Sequence, residues 1–144
     1  MVATPTLIAR WATIEARVGR TMLHVLMLDL QSDAALIAQY EAHHRSVWPE
    51  VEAHLARQGV LSMTIHRLGT RMVMLMQTDD ARYDAERMER ASQTDPVLVQ
   101  WETLMWTFQA PTPWTPAGRK WTPLQGIFDW RAPVQTITAD AHRR

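Results

Sequence analysis

The chain contains no cysteine. That absence removes disulfides, thiolate nucleophiles and cysteine-ligated metals from consideration. Excess charge is missing too, since fifteen Lys and Arg side chains balance fifteen Asp and Glu. There is then no broad positive field to hold a phosphate backbone or an anionic membrane surface, so neither nucleic acid nor membrane is an expected partner. No apolar run approaches the roughly 20 residues that a membrane-spanning helix needs. Internal repeats and low-complexity segments are lacking as well. The first twenty residues carry arginines but no continuous apolar stretch followed by a cleavage site, and so do not read as a secretory signal. Residues 1–21 are expected to be an N-terminal extension, either an accessory helix or the product of an upstream start. The expected location is cytoplasmic.

What is present fits one compact domain: 144 residues, 47% of them hydrophobic, are enough to bury a real core. That domain is expected over residues 22–130, with a polar tail over 131–144. Met22 to Leu30 is an apolar, Leu- and Met-rich run that predicts a strand. Ser32 is the expected N-cap of a helix whose face carries Leu36, Ile37, Tyr40 and His44, ending at the Trp48-Pro49 step, where proline disfavours helix in the residue before it. Pro49 opens a second short helix to Arg57, closed at Gly59. Leu61–Leu68 and Arg71–Thr78 flank Gly69-Thr70 and predict an antiparallel hairpin. Asp79 is expected to cap a polar helix to about Ser92. Asp95-Pro96 starts another, with Trp101, Leu104, Met105 and Phe108 at i, i+3, i+4 and i+7. A proline-rich loop, Pro111 to Pro123, leads to an expected final strand, Leu124 to Trp130.

Strand, helix, hairpin, helix, strand is the βαββαβ order of ferredoxin-like α+β folds, with helices on one face of a four-stranded antiparallel sheet. The other face also needs a cover. A second copy packed sheet to sheet, as a dimeric α+β barrel, supplies it, so a homodimer is expected.

The chemistry concentrates in Tyr40-Glu41-Ala42-His43-His44-Arg45-Ser46-Val47-Trp48-Pro49-Glu50. Residues four apart share a helix face, so Tyr40 and His44 bring a hydroxyl beside a group that exchanges protons near neutral pH. That pair suffices for acid/base work. The same spacing also describes a partly buried helix with a hydrogen-bonded histidine.

Tyr40, His44, Val47-Trp48-Pro49-Glu50, Gly59 and the aromatic helix around Trp101 together resemble the L-rhamnose mutarotase family. The resemblance covers about Met22 to Trp130. Trp101-Glu102-Thr103-Leu104-Met105-Trp106, Pro113-Trp114, Gly118-Arg119-Lys120-Trp121 and Ile127-Phe128 resemble its L-fucose mutarotase branch more closely. What this implies is a dimeric barrel enzyme that uses no cofactor or metal and interconverts the α and β anomers of a deoxy-monosaccharide. His44 then matches the proton donor, Tyr40 a sugar-contacting hydroxyl and Trp101 the first of two substrate-lining tryptophans. Two positions depart from the rhamnose-type pattern: Glu102 replaces the second tryptophan, and Met63 replaces a sugar-contacting tyrosine. Contacts to the sugar must therefore differ at Met63 and Glu102, which points toward L-fucose, with L-rhamnose as the other 6-deoxyhexose the resemblance implies.

The remaining aromatic and imidazole groups have plainer expectations. Trp48, Trp106 and Trp130 are expected in the core, whereas Trp114 and Trp121 lie where a loop can fold over a cavity as a lid. His24, His43, His44 and His66 with Glu50 do not make a convincing metal cluster, because adjacent residues on one helix diverge by about 100°. His54 and His142 are expected at the surface, and most of the nine methionines in the core. A different class of function, a dimeric α+β barrel that binds haem or a small apolar ligand as an oxygenase or a non-catalytic carrier, is the alternative.

Overall fold

The structure, a computed structural model, describes residues 20–134. The N-terminal extension before Arg20 and most of the polar tail, His142 included, lie outside the described residues. The elements in order are β1 (Thr21–Leu30), α1 (Ala34–Arg45), α2 (Pro49–Arg57), β2 (Val60–Leu68), β3 (Arg71–Asp79), α3 (Ala85–Thr94), α4 (Pro96–Trp106), β4 (Gln109–Ala110) and β5 (Thr122–Pro123). One antiparallel sheet runs β2-β3-β1-β4, with β5 also pairing β1. This is the ferredoxin-like α+β arrangement, with β1 and β3 at its centre.

Alternation along the strands decides what the helices cover. Leu28 and Leu30 of β1 and Met72, Met74, Met76 and Thr78 of β3 are buried, and Leu28 sits opposite Met72 with both fully inaccessible. Burial of such side chains stabilises by about 1.5–3 kcal/mol each. Over them pack Tyr40 of α1, Val51 of α2, and Leu98, Trp101 and Met105 of α4, with Phe108 just beyond. The opposite face carries Leu23, Val25, Met27, Val73 and Leu75. Here Val25 opposes Leu75 and Met27 opposes Val73, all of them half-buried.

Pro49 starts α2 as expected, and the break at Trp48 turns the chain without a side-chain cap. Two caps differ from expectation. Asp33, not Ser32, caps α1: its Oδ1 accepts from the amides of Ala35 and Leu36 at 2.9 and 3.0 Å. A carboxylate at this position also complements the positive end of the helix. Asp79 closes a turn instead of starting a helix, accepting from the Ala81 amide at 3.0 Å, and α3 begins after Asp84, whose Oδ1 accepts from the Arg87 amide at 3.0 Å. Gly59 lies against the turn between Asp79 and Asp84. Its φ is +87°, and a Cβ there would stand 2.9 Å from Arg82 Cβ, so the turn after β3 is folded down upon the end of α2.

The expected strand Leu124–Trp130 is not one. Beside β1 lie two short strands instead, Gln109–Ala110 against Leu30 and Asp29 and Thr122–Pro123 against Met27 and Leu26. Pro123 has no amide hydrogen to extend a ladder, and after one more bond, from the Leu124 amide to the Val25 carbonyl, pairing stops. Ile127 and Phe128 then stand 92% and 84% exposed. Trp130 is exposed along with them, and so is Trp106, contrary to the core positions expected for both.

Candidate active site

A cavity of about 530 Å³ opens between the helices and the sheet, within the ~300–1,000 Å³ range of small-molecule sites. Its floor is apolar: Leu26, Met63, Ile65, Met74 and Met76 rise from the strands, and Leu98 and Met105 come from α4. Tyr40, His44, Met63, Trp101 and Glu102 all line it, so the five residues singled out from sequence meet in one place. Three elements bring them there: α1 supplies the tyrosine and histidine one turn apart, β2 the methionine, and α4 the adjacent tryptophan and glutamate.

His44 is oriented by its own helix. Its Nδ1 lies 2.8 Å from the Tyr40 carbonyl oxygen. A carbonyl only accepts, so Nδ1 carries the proton, and in the neutral ring Nε2 is left as the basic nitrogen for the cavity. The ring stacks obliquely on Tyr40 at 4.3 Å between centroids and meets the Trp101 ring edge-on at 5.9 Å. Trp101 in turn meets Trp48 at 5.1 Å, which places the helix-break tryptophan behind the site as a support. Burial holds the His44 pKa below its ordinary value, opposed by the bond to the Tyr40 carbonyl, which favours the charged ring. The imidazole is thus mainly neutral at neutral pH and has a ready stabiliser when it gains a proton.

Tyr40 is buried, and burial pushes its hydroxyl up to about 12. It stays protonated at any working pH. Gln109 Nε2 donates to the hydroxyl oxygen at 3.3 Å, leaving the hydroxyl hydrogen to be donated elsewhere. Gln109 Oε1 is buried and has no partner among the described residues. Gln109 lines the cavity and is the link between the catalytic-looking helix and the β1 edge.

Besides Gln109, three further polar residues of the site were not singled out as site residues from the sequence. His54 was expected at the surface but is only 5% exposed and lines the cavity from α2. Its signal was present in the spacing, because Val51 and His54 lie three residues apart on α2 and so share a face. Burial lowers its pKa, and Arg57 lowers it further, against the pull of Asp95 and Glu102. Lys120 and Arg119 also line the cavity, carried by the loop after Pro111. Lys120 Nζ is 3.0 Å from Glu102 Oε2, and Arg119 pairs with Glu89 at 3.8 Å, so the loop is tied to α4 and α3. Trp121 lines the cavity with them, whereas Trp114 turns outward under the Arg71 guanidinium, 5.2 Å from its ring centroid.

The other histidines are dispersed. His24 Nε2 bonds to Thr78 Oγ1 at 2.9 Å, His43 packs on Phe108, and His66 Nε2 bonds to Thr64 Oγ1 at 3.1 Å. Among the described residues, no three His, Asp or Glu side chains are grouped to share an ion. Nor is any described helix long and apolar enough to cross a membrane.

Comparison with known proteins gives a consistent picture. The sequence profile of the family described as L-rhamnose mutarotase matches residues 24–130. An L-fucose mutarotase of Xanthomonas campestris pv. campestris is 46% identical over 104 residues, covering 71% of this chain and 82% of that one. A UPF0734 protein of Dictyostelium discoideum is 32% identical over 108 residues, covering 71% of this chain and 84% of its own length. Among solved structures, an L-rhamnose mutarotase from Formosa agariphila superposes with a TM-score of 0.55 at 15% identity, covering 76% of this chain and 99% of that one. The tetracenomycin F2 cyclase of Streptomyces glaucescens superposes with a TM-score of 0.51 at 19% identity, covering 78% and 99%. These two structural likenesses speak to the fold alone.

Proposed function

The chain belongs to the L-rhamnose mutarotase family, and from that premise we propose that it is a cofactor-free sugar mutarotase that interconverts the anomers of a 6-deoxyhexose, with L-fucose as its substrate. The alternative of a barrel that takes haem or an apolar ligand is not favoured by this membership. The observation that carries the mechanistic reading is His44, tied through Nδ1 to the Tyr40 carbonyl and set against Trp101 in the cavity wall.

Ring opening moves two protons. One leaves the anomeric hydroxyl and one arrives on the ring oxygen as the C1–O5 bond breaks and the C1=O1 bond forms. Rotation about C1–C2 followed by the reverse steps gives the other anomer. Both oxygens are bonded to C1, so one nitrogen reaches both. Neutral His44 Nε2 takes the anomeric proton, and the resulting imidazolium, stabilised by the Tyr40 carbonyl, is the proton donor to the ring oxygen. Tyr40 donates a hydrogen bond to the sugar, and Trp101 offers an apolar face to ring C–H groups. Acid/base groups of this kind contribute on the order of 10²–10⁴-fold.

Sugar choice falls to Glu102 and Met63. Glu102 supplies a charged acceptor, and Met63 supplies no hydroxyl, so the ring hydroxyls of a galacto-configured sugar are favoured over those of rhamnose. A site that bonds a hydroxyl rejects an isomer with that group displaced, because its own polar partner is left unpaired.

A homodimer completes this reading. The half-buried apolar face formed by Val25, Met27, Val73 and Leu75 supports a second copy packed sheet to sheet.

Anomeric exchange followed by saturation-transfer NMR on a panel of free sugars tests the whole proposal. We expect faster catalysed exchange for L-fucose than for L-rhamnose, loss of most catalysis in His44→Ala, and partial loss of the preference in Glu102→Gln. Near-normal exchange in folded His44→Ala would overturn the mechanism, and a clear preference for L-rhamnose would overturn the substrate.

A further inference from the structure

Glu102 does not meet the cavity alone. Lys120 Nζ donates to Glu102 Oε2 at 3.0 Å and to the Glu102 main-chain carbonyl at 3.2 Å, and it sits 4.9 Å from the centroid of the Trp106 ring. The ammonium is thereby held on three sides, which fixes a side chain that is otherwise free to turn. Both partners line the cavity, and their side chains keep 30% and 45% exposure, so the pair is open to a ligand and not walled off. One partner is carried by α4 and the other by the loop. Trp121, beside Lys120, adds an apolar surface to the same stretch of wall.

We propose that Lys120 is a specificity-determining residue, donating to one hydroxyl of the bound sugar while Glu102 accepts from its neighbour. The inference rests on the mutarotase reading above. A carboxylate only accepts and an ammonium only donates. Two hydroxyls on adjacent ring carbons offer both complements, and the 3.0 Å between Nζ and Oε2 is the spacing of vicinal gauche oxygens. The pair therefore grips a diol edge without having to separate. Charge-assisted bonds are roughly twice as strong as neutral ones. Inverting one hydroxyl of the diol leaves a charged group facing a C–H, which is the situation in which a polar site discriminates most. Proton transfer at His44 needs neither group, so Lys120 governs which sugar is bound and not the chemistry at C1.

The test compares catalysed exchange of L-fucose and L-rhamnose by wild-type enzyme, Lys120→Met, Lys120→Arg and Glu102→Gln, with KM and kcat separated. Lys120→Met is expected to lower the L-fucose to L-rhamnose ratio of kcat/KM about tenfold, mainly through a raised KM for L-fucose, and Lys120→Arg to keep most of the ratio. If Lys120 only fastens the loop, Lys120→Met slows both sugars by one factor and leaves the ratio intact. That result would overturn the inference while leaving the mutarotase reading in place. A ratio that collapses in Glu102→Gln but not in Lys120→Met would do the same, assigning recognition to the carboxylate alone. Wild-type enzyme that accelerates neither sugar overturns both. Should Lys120→Met fail to fold, as judged by circular dichroism, Lys120→Gln replaces it with the same two outcomes.

Discussion

At the scale of single residues, the proposed mechanism turns on the protonation state of His44. Burial lowers its pKa below the ordinary 6.5, so the neutral ring persists further into acid than a free imidazole does. With Nε2 acting first as the base, catalysed exchange should be flat above pH 6.5 and fall only as the pH drops below that value, once buffer catalysis is subtracted. A rate that rises on acidification through the same window would show that the resting imidazolium is the active form. Tyr40, held near 12, contributes no limb in the accessible range. The Tyr40–His44 pair was legible in sequence because i, i+4 spacing fixes neighbours on a helix whatever lies around it. Lys120 was not, since a loop has no period from which to infer that a side chain turns back onto α4. His54 was misjudged for another reason: its polarity outweighed its place one turn after Val51 on α2, and only the closure of α2 over the sheet shows which way that face points.

At the scale of elements, Gly59 joins two of them under constraint. Its positive φ excludes most side chains, and the Arg82 Cβ, 2.9 Å from where a Cβ would stand, excludes the rest. Gly69 has a φ of +60° with nothing within 4 Å of that position. Gly59→Ala should therefore cost about 1–3 kcal/mol in urea unfolding, and Gly69→Ala clearly less. Equal losses would mean that backbone conformation alone, and not the packing of the turn against α2, sets the cost. The strands β1 to β3 and the helix opened by Pro49 could be read in advance because apolar alternation and proline act locally. The segment from Leu124 to Trp130 could not. Its apolar content matches a strand, but β5 pairs β1 only at Leu26 and Met27, and after one more bond to Val25 the chain leaves the sheet, which an apolar run by itself does not announce.

At the scale of the whole molecule, one sheet face is roofed by helices and the other shows Val25, Met27, Val73 and Leu75. On the proposed sheet-to-sheet homodimer, replacing Leu75 by Glu should leave a monomer in light scattering while circular dichroism stays native. An unchanged dimer would place the contact elsewhere. Pattern alone gave the order of elements as far as α4, but the cavity itself exists only once α2, α4 and the loop after Pro111 converge on it. The floor of that cavity has a consequence of a different kind. Met63, Met74, Met76, Met88 and Met105 all border it, and a thioether oxidises to a polar sulfoxide. A chain without a single thiol thus carries a redox-vulnerable site. Hydrogen peroxide should slow anomeric exchange progressively, with the half-buried Met63 and Met88 modified ahead of the buried three in peptide mass spectra. Dithiothreitol should not restore the rate, whereas methionine sulfoxide reductase should.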